Sequence, residues 1–457
     1  LEPALLFCLA GPLTIGPSTV CIALNGIAPW LWIPLSNKYG RRPIYLATTF
    51  LGFISALSCA YTQSFGQLIA ARVFNGFFPV AFALGAATVV DLFFYHQRGR
   101  AMGFFTLTMV NGSHLAPIVG GLLGQYCGWR WIFKFVAIVD AVMLFTAFFC
   151  LPETLYIRPR PRAPSEEDAF KPSVEDSLSQ PRFTKQVYWS RLRLWSDFPQ
   201  LRLQLNQFVL PALKMAKYPS VLFPALYYAT MYGFASILPA VTVAAIFSEF
   251  FHWNTLTIGL TYGASLTLGG ILGECFSGWV VDLIVKRERI RLGRDPEPEV
   301  RLRAIWMGEI IVPAGLLIYG FCLQYRTVWI APILGMGIAC FGLQIITTTT
   351  YTYAIDCYRT EGSEVAQLFN FIRQEIGFTF AFYVVNLGNT IGYQWTFLMF
   401  ALIGGVLAFI PMVFIIFKGE SWRKSLGKPV GVNVFDGTIE TMDEADHNNE
   451  WKIDGEV

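Results

Sequence analysis

Charge is what this chain has least of. Asp, Glu, Lys and Arg together make 14% of its 457 residues, where soluble domains carry about 25%. A surface that poor in charge does not suit an ordinary water-soluble globule. The net charge of +3 is too small to argue for nucleic acid. Histidine is also scarce: His96, His114, His252 and His447 are scattered, with no spacing for a zinc site. Nine cysteines show no CxxC and fall almost all within or beside apolar runs. They read as small hydrophobes, not as a disulfide or metal framework. No paired histidine or nucleophile cluster stands out, so the sequence offers no enzyme site and calls for no cofactor.

Apolar residues are abundant, at 54% with a mean hydropathy of +0.49, and they come in long runs. Eleven are each long enough to cross a bilayer: 15–35, 44–62, 67–90, 101–125, 131–151, 219–247, 258–284, 305–324, 328–352, 364–391 and 395–417. An open sheet would leave unpaired edges in lipid, so these runs are expected to be helices. The uncharged stretch Pro3–Leu35 is too short for two spans of about 20 residues and a turn. It reads as one full span preceded by the stub of another, as though the chain were truncated ahead of Leu1. The runs are therefore numbered spans 2 to 12.

The basic residues then assign the two sides. Lys38, Arg41 and Arg42, then Arg98 and Arg100, the linker cations from Arg158 to Lys217, the group from Lys286 to Arg303, Arg359, and Lys418 with Arg423 and Lys424 occupy alternate loops. The positive-inside bias puts all of them in the cytoplasm. Four regions follow: an N-terminal bundle at 1–151, a cytoplasmic linker at 152–217, a C-terminal bundle at 218–418, and a tail at 419–457. The linker opens Pro- and Ser-rich. Its later part interleaves Trp189, Leu192, Trp195 and Phe198 with Arg191 and Arg193, which suits either an inner-leaflet segment or a solvated one. The tail is polar and acidic and reads as disordered.

The halves echo one another. Gly40-Arg41-Arg42 after span 2 has a counterpart in Gly278–Asp282 with Lys286-Arg287 after span 8, and Asp91 ends span 4 as Asp356 ends span 10. Ser36-Asn37-Lys38-Tyr39-Gly40-Arg41-Arg42, Arg72-x-x-Asn75-Gly76 in span 4, and Gly112-x-x-x-Ala116-Pro117-x-x-Gly120-Gly121 in span 5 stand in order on successive parts of the N-terminal half. Together they resemble the signature motifs of the major facilitator superfamily, most nearly its fungal twelve-span drug:proton antiporters. Ile33 and Asn37 replace that pattern's first glycine and its aspartate, and Ala116 replaces a glycine. The resemblance implies an all-α integral membrane fold of two six-helix bundles related by a pseudo-two-fold axis, here with the first helix largely missing.

Physical roles can be attached to these residues. Arg41 and Arg42 can bond carboxylates bidentately, with Asp91 the natural partner. With Asn37, Gly40 and Asp282 they form an expected pair of cytoplasmic latches; the plain alternative is that the cations only set topology and bind anionic lipid. Arg72, near the outer end of span 4, and Glu274, well inside span 8, are ionisable groups in apolar runs. Proton coupling is the role expected for both, against snorkelling for Arg72 and a static hydrogen bond to span 5 for Glu274. Gly112, Ala116, Gly120 and Gly124 share one face of span 5, which with Pro117 and Gly121 reads as a tight, kinked hinge against Gly269 and Gly273.

In the family the cavity is lined by spans 1, 4, 7 and 10, which implies Phe74, Asn75, Phe78, Tyr227, Tyr228, Tyr232, Gln344, Thr347, Thr350 and Tyr351. Aromatics with a few polar groups suit an amphipathic or cationic organic substrate, although helix packing alone accounts for some of them. The expected function is proton-coupled export by alternating access, in a plasma-membrane protein that is monomeric by the family default. Proton-coupled uptake of polyamines or similar cations stays open, as does a non-transporting sensor or defective fragment.

Overall fold

Hydrocarbon offers no partner to a backbone amide, so each crossing segment has to satisfy its own N–H and C=O groups. The computed structural model of the chain describes residues 17–154, 206–358 and 361–427, apart from 79, 81–83, 86–87, 90–91, 93–94 and 295. Among these residues every regular element is helical, and eight helices are long and apolar enough to cross a membrane.

The N-terminal half consists of α1 (Pro17–Tyr39), α2 (Arg41–Tyr61), α3 (Phe65–Phe77), α4 (Tyr95–Tyr126) and α5 (Trp129–Cys150). A short α6 (Asn206–Met215) precedes the C-terminal half. That half holds α7 (Pro219–Tyr232), α8 (Leu238–Phe251), α9 (Thr255–Leu292), α10 (Ile305–Gln324), α11 (Ile330–Cys357), α12 (Gly362–Ile391), α13 (Tyr393–Leu402) and α14 (Ile410–Leu426). Wider π turns at Gly233–Ile237 and Ile403–Leu407 join α7 to α8 and follow α13.

Local chemistry sets the helix ends. Ser64 accepts from the Gln67 amide while the Gln67 side chain accepts from the Ser64 N–H, a reciprocal capping box that starts α3. The α1–α2 turn is made by Gly40 at φ 92°, a conformation costly to residues with a Cβ. The turn before α5 repeats it at Gly128, and the turn before α13 at Gly392. The short sequences Gly128-Trp129-Arg130-Trp131 and Gly392-Tyr393-Gln394-Trp395 thus make the same corner in each half.

Within the N-terminal half α2 packs on α5, and α1 on α3. Within the C-terminal half α11 packs on α10 and on α9, and α10 on α13. A continuous apolar core there includes Phe234 stacked on Phe400 and Tyr319 edge-on to Phe397. The two most extensive contacts between the halves are α4 with α9 and α1 with α12.

The α4–α9 seam corrects the sequence reading. Gly112 and Ala116 are exposed, and nothing lies within 4 Å of a Cβ placed on Gly112 or Gly120. The tight face is the neighbouring one: Asn111, His114, Ile118 and Gly121 meet Gly259, Gly263 and Gly270. A Cβ on Gly259 would overlap the Pro117 carbonyl and lie 2.9 Å from Gly121 Cα. Gly269 and Gly273 face α11 instead, against Gly337 and Phe341. Four-residue spacing identifies a face of small residues but not the neighbour it meets; on α9 two such faces exist, and each serves a different helix.

Gly259→Val is therefore expected to destabilise the purified chain by about 1–3 kcal/mol through overpacking, while Gly112→Ala leaves it unchanged. Thermal melts in detergent, followed by size exclusion, check both.

Candidate functional site

The end of the N-terminal half that carries the α1–α2 turn is organised by one carboxylate. Glu153, just past α5, accepts from the Arg41 N–H at 2.9 Å, the Arg42 N–H at 3.3 Å and the Thr154 N–H at 2.9 Å. It thereby places negative charge on the N-terminus of α2, where unpaired amides and the helix dipole favour it. A Cβ on Gly40 would overlap this carboxylate, so that glycine provides the space as well as the turn. Arg42 is 1% exposed. It donates to the carbonyls of Leu151 and Phe148 at 2.8 and 2.7 Å, with its guanidinium 5.9 Å from the Phe148 ring. Asp91 lies outside the described residues; Asn37 sits partly buried near the end of α1. Glu153 was legible only as the end of a hydrophobic run, and nothing local in the sequence marked it as a cap for a helix over a hundred residues away.

In the C-terminal half the corresponding contact is Arg301 with Asp356 at 2.8 Å. Asp282 is exposed and forms no ion pair among the described residues. The ion pair to Asp356 thus comes from Arg301, just before α10, and Asp282 takes no part in it. Arg423 adds bonds to Glu297 and Glu299 at 2.6 and 3.2 Å.

Arg72 on α3 donates to Asn75 Oδ1 at 3.3 Å, with its guanidinium 4.7 Å from the Phe133 ring on α5. Asn75 in turn donates to Ser55 on α2 at 3.3 Å, and Cys21 Sγ on α1 lies 4.0 Å from Asn75 Oδ1. Four helices therefore meet at one arginine–asparagine pair. Phe74 is exposed and stacks on Phe78.

A second such pair was not assigned a site role from the sequence. Arg373 on α12 donates to Asn370 Oδ1 at 2.8 Å and to Tyr228 OH at 3.3 Å, with the Tyr232 ring 4.6 Å away. Tyr228, Tyr232, Tyr351 and Phe369 form one aromatic cluster around it. Arg373 thus bonds Tyr228, whereas Asp356 bonds Arg301. Asn370 also donates across the halves to the Asn25 carbonyl at 3.2 Å. Gln344 is 1% exposed, and its Nε2 has no partner among the described residues. Thr347 and Thr350 are buried and bond back to carbonyls of their own helix.

Tyr227 points elsewhere. Its hydroxyl donates to Glu309 Oε2 on α10 at 2.5 Å, and its ring packs 5.5 Å from Phe409. It belongs to the packing of α7 against α10 and α14, away from the Tyr228 cluster on the other side of its helix. Glu274 accepts from Thr348 on α11 at 3.1 Å, so its partner is span 10 and not span 5.

This is a helical membrane protein of two packed halves, each holding arginine in a polar and aromatic cluster, the arrangement of a secondary transporter. The chain belongs to the Major Facilitator Superfamily, whose family model matches residues 12–382. It is 28% identical over 410 residues to "Efflux pump radE" of Floropilus chiversii, covering 88% of this chain and 73% of that protein. It is 27% identical over 416 residues to "MFS-type transporter atr4" of Stereocaulon alpinum, covering 90% and 72%. The crystal structure of the human organic anion transporter MFSD10 shares the fold, with a TM-score of 0.53 at 17% identity over 87% of this chain and 82% of that one.

Removing the Glu153 cap strips a charged acceptor from two helix-terminal amides. Glu153→Ala is expected to lower stability by about 1.5–3 kcal/mol, and Glu153→Gln by less, since an amide oxygen still accepts. Melting temperatures of the two variants give the order.

Proposed function

We propose that this chain is a proton-coupled exporter of small amphipathic or cationic organic compounds. In this reading substrate enters from the cytoplasm or the inner leaflet, the halves rock, and a proton taken up outside resets the cycle. Arg72 is the observation that carries it. An arginine inside an apolar segment is held by an asparagine and a ring face, and an ionisable group in that setting is functional by default. The relative named an efflux pump supports the outward direction. Glu274, hydrogen-bonded to Thr348 within the C-terminal half, is the partner assigned to proton exchange, because a carboxylate in lipid-depth surroundings gains or loses its proton with the conformation around it.

Inside-out vesicles with an acid lumen test this. The wild-type chain is expected to accumulate a fluorescent amphipathic amine in the lumen as protons leave it. Arg72→Ala is expected to bring that uptake to the level of empty vesicles while inserting into the membrane normally. Unchanged flux in Arg72→Ala removes the role given to Arg72. Uptake that runs without the gradient removes the coupling.

A further inference from the structure

α5 is the least buried of the eight spanning helices, and no part of the transport reading uses the groove that runs along it. The groove lies between α2 and α5 and encloses about 540 Å³. Phe53 and Leu57 of α2 form one wall, while Ala137 and Ala141, one turn apart on α5, leave open the space that larger side chains would fill. Its lining is apolar except at one end, where Lys134 stands with Tyr61 and Trp131. The Lys134 ammonium lies 4.9 Å from the Trp131 ring and 5.7 Å from the Tyr61 ring, within reach of cation–π attraction to both. It forms no ion pair among the described residues. Asp140, the one acidic residue of α5, faces Gly52 and is not part of the lining.

We infer that this groove holds one acyl chain of an anionic phospholipid whose phosphate rests on Lys134. Trp and Tyr collect where hydrocarbon meets headgroups, so the Tyr61–Trp131 end marks the depth at which a phosphate sits. From Lys134 the lining continues to Phe145, eleven residues along α5, about 16 Å of helix. The hydrocarbon core is about 30 Å thick, so the groove is as deep as one leaflet, the depth a single acyl chain fills. Both ends of the ligand are thereby specified, an apolar tail by the walls and a negative head by the ammonium. A cation at headgroup depth attracts anionic lipid, and the two rings fix at the mouth a charge that its four-carbon stem would otherwise leave loose. The bound chain rests on α2 and α5 together and fills the crevice between them. None of this depends on the direction or the coupling of transport.

A phosphatidylglycerol with a diazirine midway along one acyl chain is the probe. It is cross-linked to the purified chain in mixed phosphatidylcholine micelles, and the label is mapped by peptide mass spectrometry. Label is expected on the Ala137–Phe145 and Phe53–Leu57 segments. Unlabelled phosphatidylglycerol is expected to displace the probe there about fivefold more effectively than phosphatidylcholine of the same chains, the effect of one favourable charge near the surface. Lys134→Gln is expected to remove that difference and Lys134→Arg to keep it. Ala141→Phe fills the groove from an exposed position and is expected to lower labelling of both segments while the chain elutes as the parent does on size exclusion. Equal displacement by the two lipids in the parent chain marks unselective boundary lipid and overturns the proposal, as does an unchanged preference in Lys134→Gln. Displacement by ergosterol ahead of phosphatidylglycerol makes the groove a sterol site and overturns it too. The competition in the parent requires no variant to fold and decides the matter by itself.

Discussion

Two glycine faces on α9 decide how the molecule is put together. Lipid tails are as apolar as the side chains they surround, so helices in a bilayer associate through close packing, not through expulsion of water. On one face Gly259, Gly263 and Gly270 let the backbone of α4 come within van der Waals reach. On another, Gly269 and Gly273 do the same for α11. The helix is consequently shared: it belongs to the C-terminal bundle by chain order and carries the N-terminal bundle through its second face. Gly315 and Gly335, packed backbone to backbone, extend the same device to the α10–α11 contact, so the close approach runs through four helices, α4, α9, α11 and α10.

Three of the described arginines make contacts of one kind. Arg72 rests on a ring face and an asparagine, and so does Arg373; Arg42 rests on a ring face and two carbonyls. Planar guanidinium groups suit such sites because they stack and donate along fixed directions at once. Ion pairs stand at the partly exposed rim of the C-terminal half, where Arg301, Arg303 and Arg423 meet Asp356, Glu288 and Glu299 and water shares the cost.

The helices and their order were legible because the bilayer imposes a length on every apolar run. The Gly40 turn was legible for a similar reason: positive φ is a property of one residue. Partner choice was not. Gly112, Ala116 and Gly120 satisfy a small-residue spacing, yet the face one residue away makes the contact. Tyr227 and Tyr228 are neighbours in sequence, and about 100° of helical rotation sends one to Glu309 and the other to Arg373. Glu153 was hidden for a different reason, since its role is to cap a helix remote in sequence.

The two most extensive contacts between the halves differ in kind, and that difference bears on how they could move. At α4–α9 the meeting is backbone on backbone, with Gly259 against the Pro117 carbonyl and Gly121 Cα; such a contact rotates or slides only slightly before atoms overlap. At α1–α12 the meeting runs through side chains: Asn370 to the Asn25 carbonyl, Trp30 on Phe371, and Gly26 against Gln374. The same α1 is fixed to α3 by a backbone contact, Gly76 on Cys21, one turn from Asn25. A hydrogen bond worth about 1 kcal/mol net and a ring pair therefore stand between α1–α3 and α12, while the other seam has no comparable slack. Of the two seams, α4–α9 is therefore held backbone on backbone and α1–α12 by side chains. The arginine–asparagine pairs of the two halves both reach α1, at Cys21 and Asn25, one helical turn apart.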